Sequence, residues 1–111
     1  MPTLASITFD CADAVALARF WGAVFDRPVP DDASTDYAHL AGEPALSFCA
    51  VPEKKQAKNR VHIDLSVKDL EAEIARLVGL GAKRLADFDE SGYRWATLTD
   101  PDGNEFDVVL A

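Results

Sequence analysis

Ser6-Ile7-Thr8-Phe9-Asp10-Cys11-Ala12-Asp13, displaced by 56 positions, lies over His62-Ile63-Asp64-Leu65-Ser66-Val67-Lys68-Asp69. The isoleucines and the final aspartates coincide, and Phe9 meets Leu65. At an offset of 57, Leu17-Ala18-Arg19-Phe20-Trp21-Gly22 lies over Ile74-Ala75-Arg76-Leu77-Val78-Gly79. At 58, Tyr37-Ala38-His39-Leu40 lies over Trp95-Ala96-Thr97-Leu98, and Phe48 falls on Phe106. Three segments in the same order, with offsets drifting as short loop insertions would make them, describe an internal duplication. The polar run Glu53-Lys54-Lys55-Gln56-Ala57-Lys58-Asn59-Arg60 separates the copies, which puts a first module at about 1–52, a linker at 53–60 and a second module at about 61–111 of one domain.

Within each copy the hydrophobic period assigns the elements. Leu17, Phe20, Trp21, Val24 and Phe25 form one apolar face of a helix from about Asp13 to Phe25, and Leu70, Ile74 and Leu77 do so from about Val67 to Leu80. Asp10-x-x-Asp13 and Ser66-x-x-Asp69 read as capping boxes opening these helices. Ile7-Thr8-Phe9 and Val61-His62-Ile63-Asp64-Leu65 alternate apolar with polar, as half-buried strands do, which sets His62 and Asp64 on a polar face. Tyr93–Thr99 and Asn104–Leu110 flank Asp100-Pro101-Asp102-Gly103, a hairpin turn with a φ-setting proline and a permissive glycine. Each half is therefore predicted to run strand, helix, three strands. By the same alternation Tyr37, His39, Trp95 and Thr97 share the faces opposite Leu40 and Leu98.

Composition narrows the function classes. The 111 residues carry 11 Lys and Arg against 19 Asp and Glu, a net charge of −8 that repels phosphate backbones and argues against general nucleic-acid binding. The longest stretches free of charged residues, Met1–Phe9 and Pro44–Pro52, have nine residues each, too few to span a bilayer. Asp10 and Asp13 interrupt any apolar leader, and Cys11 and Cys49 do not make a disulfide framework, so a cytoplasmic protein is expected. Gly79-Leu80-Gly81 lacks the spacing of a nucleotide loop. Glu105 and Asp107 stand at i and i+2 on one strand, a carboxylate pair with the potential for acid–base work.

Ala12-Asp13 with Leu17-Ala18-Arg19-Phe20-Trp21, Lys58-Asn59-Arg60-Val61-His62-Ile63-Asp64-Leu65, and Asp100-Pro101-Asp102-Gly103-Asn104-Glu105-Phe106 together resemble the vicinal oxygen chelate superfamily, in its small glyoxalase-like, bleomycin-resistance-type branch. The resemblance implies an α+β fold of two βαβββ modules whose curved mixed sheets enclose a cavity, and a homodimer. It also implies a ligand pocket at Ser6, Cys49, His62 and Asp107, the positions that supply metal ligands in members such as glyoxalase I; Trp95, on the face that alternation turns away from Leu98, is the expected stacking wall. Ser6 is a poor ligand for a divalent ion and Cys49 does not suit an oxygen-rich site, so no metal cofactor is expected. The function expected from this resemblance is metal-independent binding of a small molecule, a drug or metabolite. Two alternatives stand beside it: a metal-dependent lyase, isomerase or dioxygenase using His62 and Asp107, and a dimeric scaffold with a vestigial cavity.

Overall fold

The computed structural model describes all residues, Met1–Ala111, and divides them into two compact units, Met1–Lys55 and Gln56–Ala111. The division falls inside the polar stretch between the two sequence copies. The first unit contains β1 (Ser6–Cys11), α1 (Ala14–Phe25), β2 (Tyr37–Leu40) and β3 (Ala45–Ala50). The second contains β4 (Asp64–Val67), α2 (Leu70–Leu80), β5 (Lys83–Glu90), β6 (Tyr93–Thr99) and β7 (Glu105–Leu110). Each forms a small mixed sheet with one helix. The strand orders are β1-β3-β2 and β4-β7-β6-β5, parallel where the first strand meets the last and antiparallel elsewhere. This is the expected α+β class, and no helix is long and apolar enough to cross a membrane.

The helices begin where a side chain satisfies their orphan amides. Asp13 and Asp69 are themselves the N-caps, accepting from the N–H of Ala16 and of Ala72 at 3.1 Å each. The capping boxes read from Asp10 and Ser66 thus start three residues early, and Val67 belongs to β4 rather than to α2. Equivalent caps fix the helices at the 56-residue offset, so Ala14, Ala18 and Trp21 occupy the places of Leu70, Ile74 and Leu77, and all six are buried. The offset of 57 read from the sequence would turn one helix by about 100° against the other. No helix absorbs a single insertion without breaking its ladder.

The first unit departs from the predicted three strands after the helix: the place of β5 is taken by an irregular run over residues 26–36. Pro28 and Pro30 account for this, since alternate residues of a strand present their N–H groups to the same neighbour and prolines have none. The run instead turns back at Asp26, whose φ is 53°, and crosses Gly22 closely enough that a Cβ there would lie 2.8 Å from the Arg27 carbonyl oxygen. Gly22 must remain glycine for this path.

Alternation then decides what each sheet buries. Ala38, Leu40, Leu46 and Phe48 face α1, where Trp21 is fully buried and Phe9 lies 5.3 Å from Phe48 and 5.4 Å from Trp21, centroid to centroid. Ala96, Leu98, Phe106 and Val108 face α2. The intervening residues, Tyr37, His39, Trp95, Thr97 and Asp107 among them, point to the opposite, open faces. Replacement of Leu40 by Ala should therefore cost about 2–5 kcal/mol in urea unfolding, as a large-to-small change at a fully buried site. His39→Ala, one residue away on the open face, should cost well under half as much. Equal losses would show the pleat inverted.

Candidate functional site

The parallel pairing of β4 with β7 brings Asp64 directly beside Asp107, and the antiparallel pairing of β7 with β6 brings Thr97 to its other side. All three point to the open face. The ladder continues beyond the strand through the Asp107 N–H, which donates to the Ile63 carbonyl at 3.0 Å. His62 thus stands next to the carboxylates although it precedes β4 by two residues. The incoming chain is fixed by Asn59, whose backbone N–H donates to Glu105 Oε1 at 3.0 Å and whose side-chain amide donates to the Glu105 carbonyl at 3.3 Å.

Four polar side chains converge here. His62 Nδ1 lies 3.1 Å from Asp64 Oδ1 and 3.8 Å from Asp107 Oδ2. The Thr97 hydroxyl donates to Asp107 Oδ1 at 2.7 Å, which orients that carboxylate and leaves Oδ2 turned toward the histidine. Side-chain exposure falls from 58% at Asp64 through 39% at His62 to 18% at Asp107, so the cluster is open on one side and anchored on the other. Two carboxylates and a hydroxyl make the site rich in acceptors. It suits a ligand that presents hydrogen-bond donors or positive charge.

The same residues pass a test as metal ligands. One ligand atom from each of His62, Asp64 and Asp107 lies within 4.8 Å of the others, and an imidazole with two carboxylates is a donor set that divalent ions such as zinc and manganese accept. The alternative metal reading, which had only His62 and Asp107, gains a third donor in Asp64. Thr97, hydrogen-bonded to Asp107, would hold that ligand in place. A cation there would polarise a bound oxygen and lower the pKa of a bound water.

Ser6 and Cys49 belong to the first unit, and its ladders revise one of their assignments. Ser6 opens β1 at the position that His62 has ahead of β4, as the repeat predicts. Cys49 does not match Asp107. His39 pairs with Ser47 as Thr97 pairs with Asp107, and Thr8 pairs with Ser47 as Asp64 pairs with Asp107. Ser47 is therefore the counterpart of Asp107, at an offset of 60 rather than 58. From Leu98 to its ladder partner Phe106 the second unit runs two residues longer than the first does from Leu40 to Leu46, because Asp100-Pro101-Asp102-Gly103-Asn104 wraps the buried Asp100 carboxylate, which accepts from the Asp102 and Asn104 N–H groups at 2.9 Å. In the first unit the corresponding cluster holds no carboxylate: Ser47, 4% exposed, lies 3.0 Å from His39 Nδ1 and 3.4 Å from the Tyr37 hydroxyl.

Trp95 lies two residues from Thr97 on β6, and its indole is stacked on Phe88 of β5 with centroids 4.9 Å apart and planes inclined by 13°. Phe88 went unremarked in the sequence, although it occupies the open-face position opposite Trp95. The carboxylates of Glu105 and Asp107 are bonded to different partners. Glu105 takes the Asn59 amide while Asp107 takes the Thr97 hydroxyl.

No curated protein matches the chain in sequence. Solved structures match it in fold. A glyoxalase/bleomycin resistance protein/dioxygenase family enzyme from Burkholderia phytofirmans PsJN superposes with a TM-score of 0.79 at 18% identity, over 98% of each chain. A mutant of the fosfomycin resistance protein FosX from Listeria monocytogenes, complexed with Mn(II) and 1S,2S-dihydroxypropylphosphonic acid, gives 0.79 at 14% identity over 98% of this chain and 90% of the other. The bleomycin-binding protein of Streptomyces verticillus, complexed with copper(II)-bleomycin, gives 0.65 at 16% identity over 100% and 98%. Residues 6–109 match the sequence model of the glyoxalase-like domain, which covers both copies of the repeat and the cluster between β4, β6 and β7, and the chain belongs to that family.

Proposed function

We propose that this glyoxalase-like protein binds a small polar molecule on the open face of its second sheet, through His62, Asp64, Thr97 and Asp107, without a resident metal. The observation that carries the reading is the convergence of these four side chains from three chain segments onto one exposed spot. Packing gains nothing from that arrangement. The opposite face of the same strands makes the core, and two aspartates adjacent in a ladder set like charges side by side with only the His62 imidazole beside them. The acceptor-rich lining selects an amine, amidine or other donor-bearing group, and the Phe88–Trp95 stack offers an apolar wall nearby.

A second reading is favoured by the third donor. With His62, Asp64 and Asp107 as ligands, a divalent cation would reverse the charge preference of the face and draw in anionic groups such as a phosphonate, the class of ligand seen with Mn(II) in the FosX structure.

Two experiments test these readings. In a 1H–15N titration with a panel of small aromatic amines, amidines and carboxylates, the cationic members should perturb amides around 62–64, 97 and 107. Asp107→Asn should weaken that binding about tenfold, the worth of one charge-assisted hydrogen bond, with the melting temperature little changed. A panel in which no member perturbs these amides would leave the open face without a ligand and return the scaffold reading. Elemental analysis of protein purified without chelator should find far less than one transition metal per chain. One equivalent of metal that is lost in Asp64→Ala, together with phosphonate binding that requires the metal, would replace the first reading by the second.

A further inference from the structure

The open face of the second sheet is laid out in rows. Strand register sets Asp64, Asp107 and Thr97 side by side across β4, β7 and β6. Two residues further along, the next row holds Val109, Trp95 and Phe88 across β7, β6 and β5. The first row carries two carboxylates and a hydroxyl. The second carries no charge: Phe88 and Trp95 stack with centroids 4.9 Å apart, Val109 is the ladder partner of Trp95, and all three are half-buried. One row calls for hydrogen-bond donors and its neighbour for apolar cover.

The strands fix the distance between these demands. Two residues of extended chain advance by about 6.6 Å. Thr97 occupies Asp107 Oδ1, and Oδ2 turns toward His62, which precedes Asp64 and so lies on the side away from the aromatic row. A ring covering Trp95 and a cation at the carboxylates are therefore held about one strand repeat apart. The acceptors also discriminate by shape. Asp64 Oδ1 lies 3.1 Å from His62 Nδ1 and Asp107 Oδ1 accepts from Thr97, so the two remaining oxygens belong to different residues. A planar fork such as an amidinium pairs best with both oxygens of one carboxylate, whereas the three diverging N–H donors of a primary ammonium bridge two.

Given the metal-free reading of this face, on which the assignment rests, we propose that its ligand is a primary arylalkylamine. The ammonium bridges Asp64 and Asp107, the ring covers Trp95 and Val109, and a tether of about three carbons spans the two rows. A ring centroid stands about 2.9 Å from the first tether atom, and each further bond of an extended tether adds about 1.3 Å. Benzylamine falls short of the strand repeat, and 3-phenylpropylamine reaches it.

The test titrates the full chain with 3-phenylpropylamine, benzylamine, n-butylamine and benzamidine, followed in 1H–15N and methyl spectra. 3-Phenylpropylamine should shift the amides of residues 64, 97 and 107 and, by ring current, the Trp95 Nε1–H and Val109 methyl signals. It should bind about tenfold more tightly than each of the other three. Trp95→Leu should lower its affinity to that of n-butylamine and leave n-butylamine unaffected. That substitution removes a stacked ring, so its folding is checked by its melting temperature; the ring-current shifts of the unsubstituted protein decide the matter if the variant does not fold. Equal binding of the three amines, with amide shifts at 64, 97 and 107 but Trp95 and Val109 unmoved, overturns the ring and tether while the acceptor site stands. Tightest binding by benzamidine overturns the ammonium bridge. If no probe shifts those amides, the acceptor reading itself fails and the arylalkylamine with it.

Discussion

Parallel pairing between the first and last strands of each unit is the constraint on which the rest depends. A parallel neighbour requires a crossover, and the crossover helix must cover one face of the sheet that it returns to. Once α2 lies over β4–β7–β6, Leu98, Phe106 and Val108 are committed beneath it, and the two-residue period of the strand sends Thr97 and Asp107 the other way. The same pairing sets Asp64 beside Asp107. Burial of the core and assembly of the polar cluster are thus one event, and no side chain on the open face had to be chosen for stability.

Much of this was legible in the chain. Alternation alone separated Leu98 from Thr97 and Ile63 from His62, because a covered face demands apolar residues at every second position. The repeat gave the module, and the family resemblance gave the neighbourhood of His62 and Asp107. Two kinds of information were not local. Which strand lies beside which is a property of the crossover, so Asp64 was seen on the right face but not as a partner of Asp107. The residue offset within a pair of strands depends on loop length, so the match of Phe48 with Phe106 in sequence drew Cys49 onto Asp107, whereas the ladders place Ser47 there. The helix offset erred for a related reason. The likeness of Leu17-Ala18-Arg19 to Ile74-Ala75-Arg76 is a matter of composition, while the caps at Asp13 and Asp69 are what set the buried faces. Pro28 and Pro30 were plain in the sequence, and their common direction along a strand was the signal that the first unit lacks a counterpart of β5.

The two units show how far one backbone plan can diverge in the chemistry of its open face. In the first, the counterparts of Asp107 and Thr97 are Ser47 and His39, and with Tyr37 they close into a hydrogen-bonded set without a carboxylate around a nearly buried hydroxyl. In the second, Thr97 satisfies only one oxygen of Asp107 and leaves the other facing His62. A set without a carboxylate whose groups bond one another has little left to offer a ligand, since any new bond must replace an existing one. A pair of carboxylates held side by side has unspent acceptor capacity and a field that grows as water is excluded. The asymmetry follows from single residues, serine against aspartate at one ladder position and threonine against aspartate at its neighbour, while the strands that carry them keep the same pairing. The chemistry of this fold therefore sits in open-face positions that packing leaves free, and in this chain those of the second unit hold the groups able to recognise a charged or donor-bearing molecule.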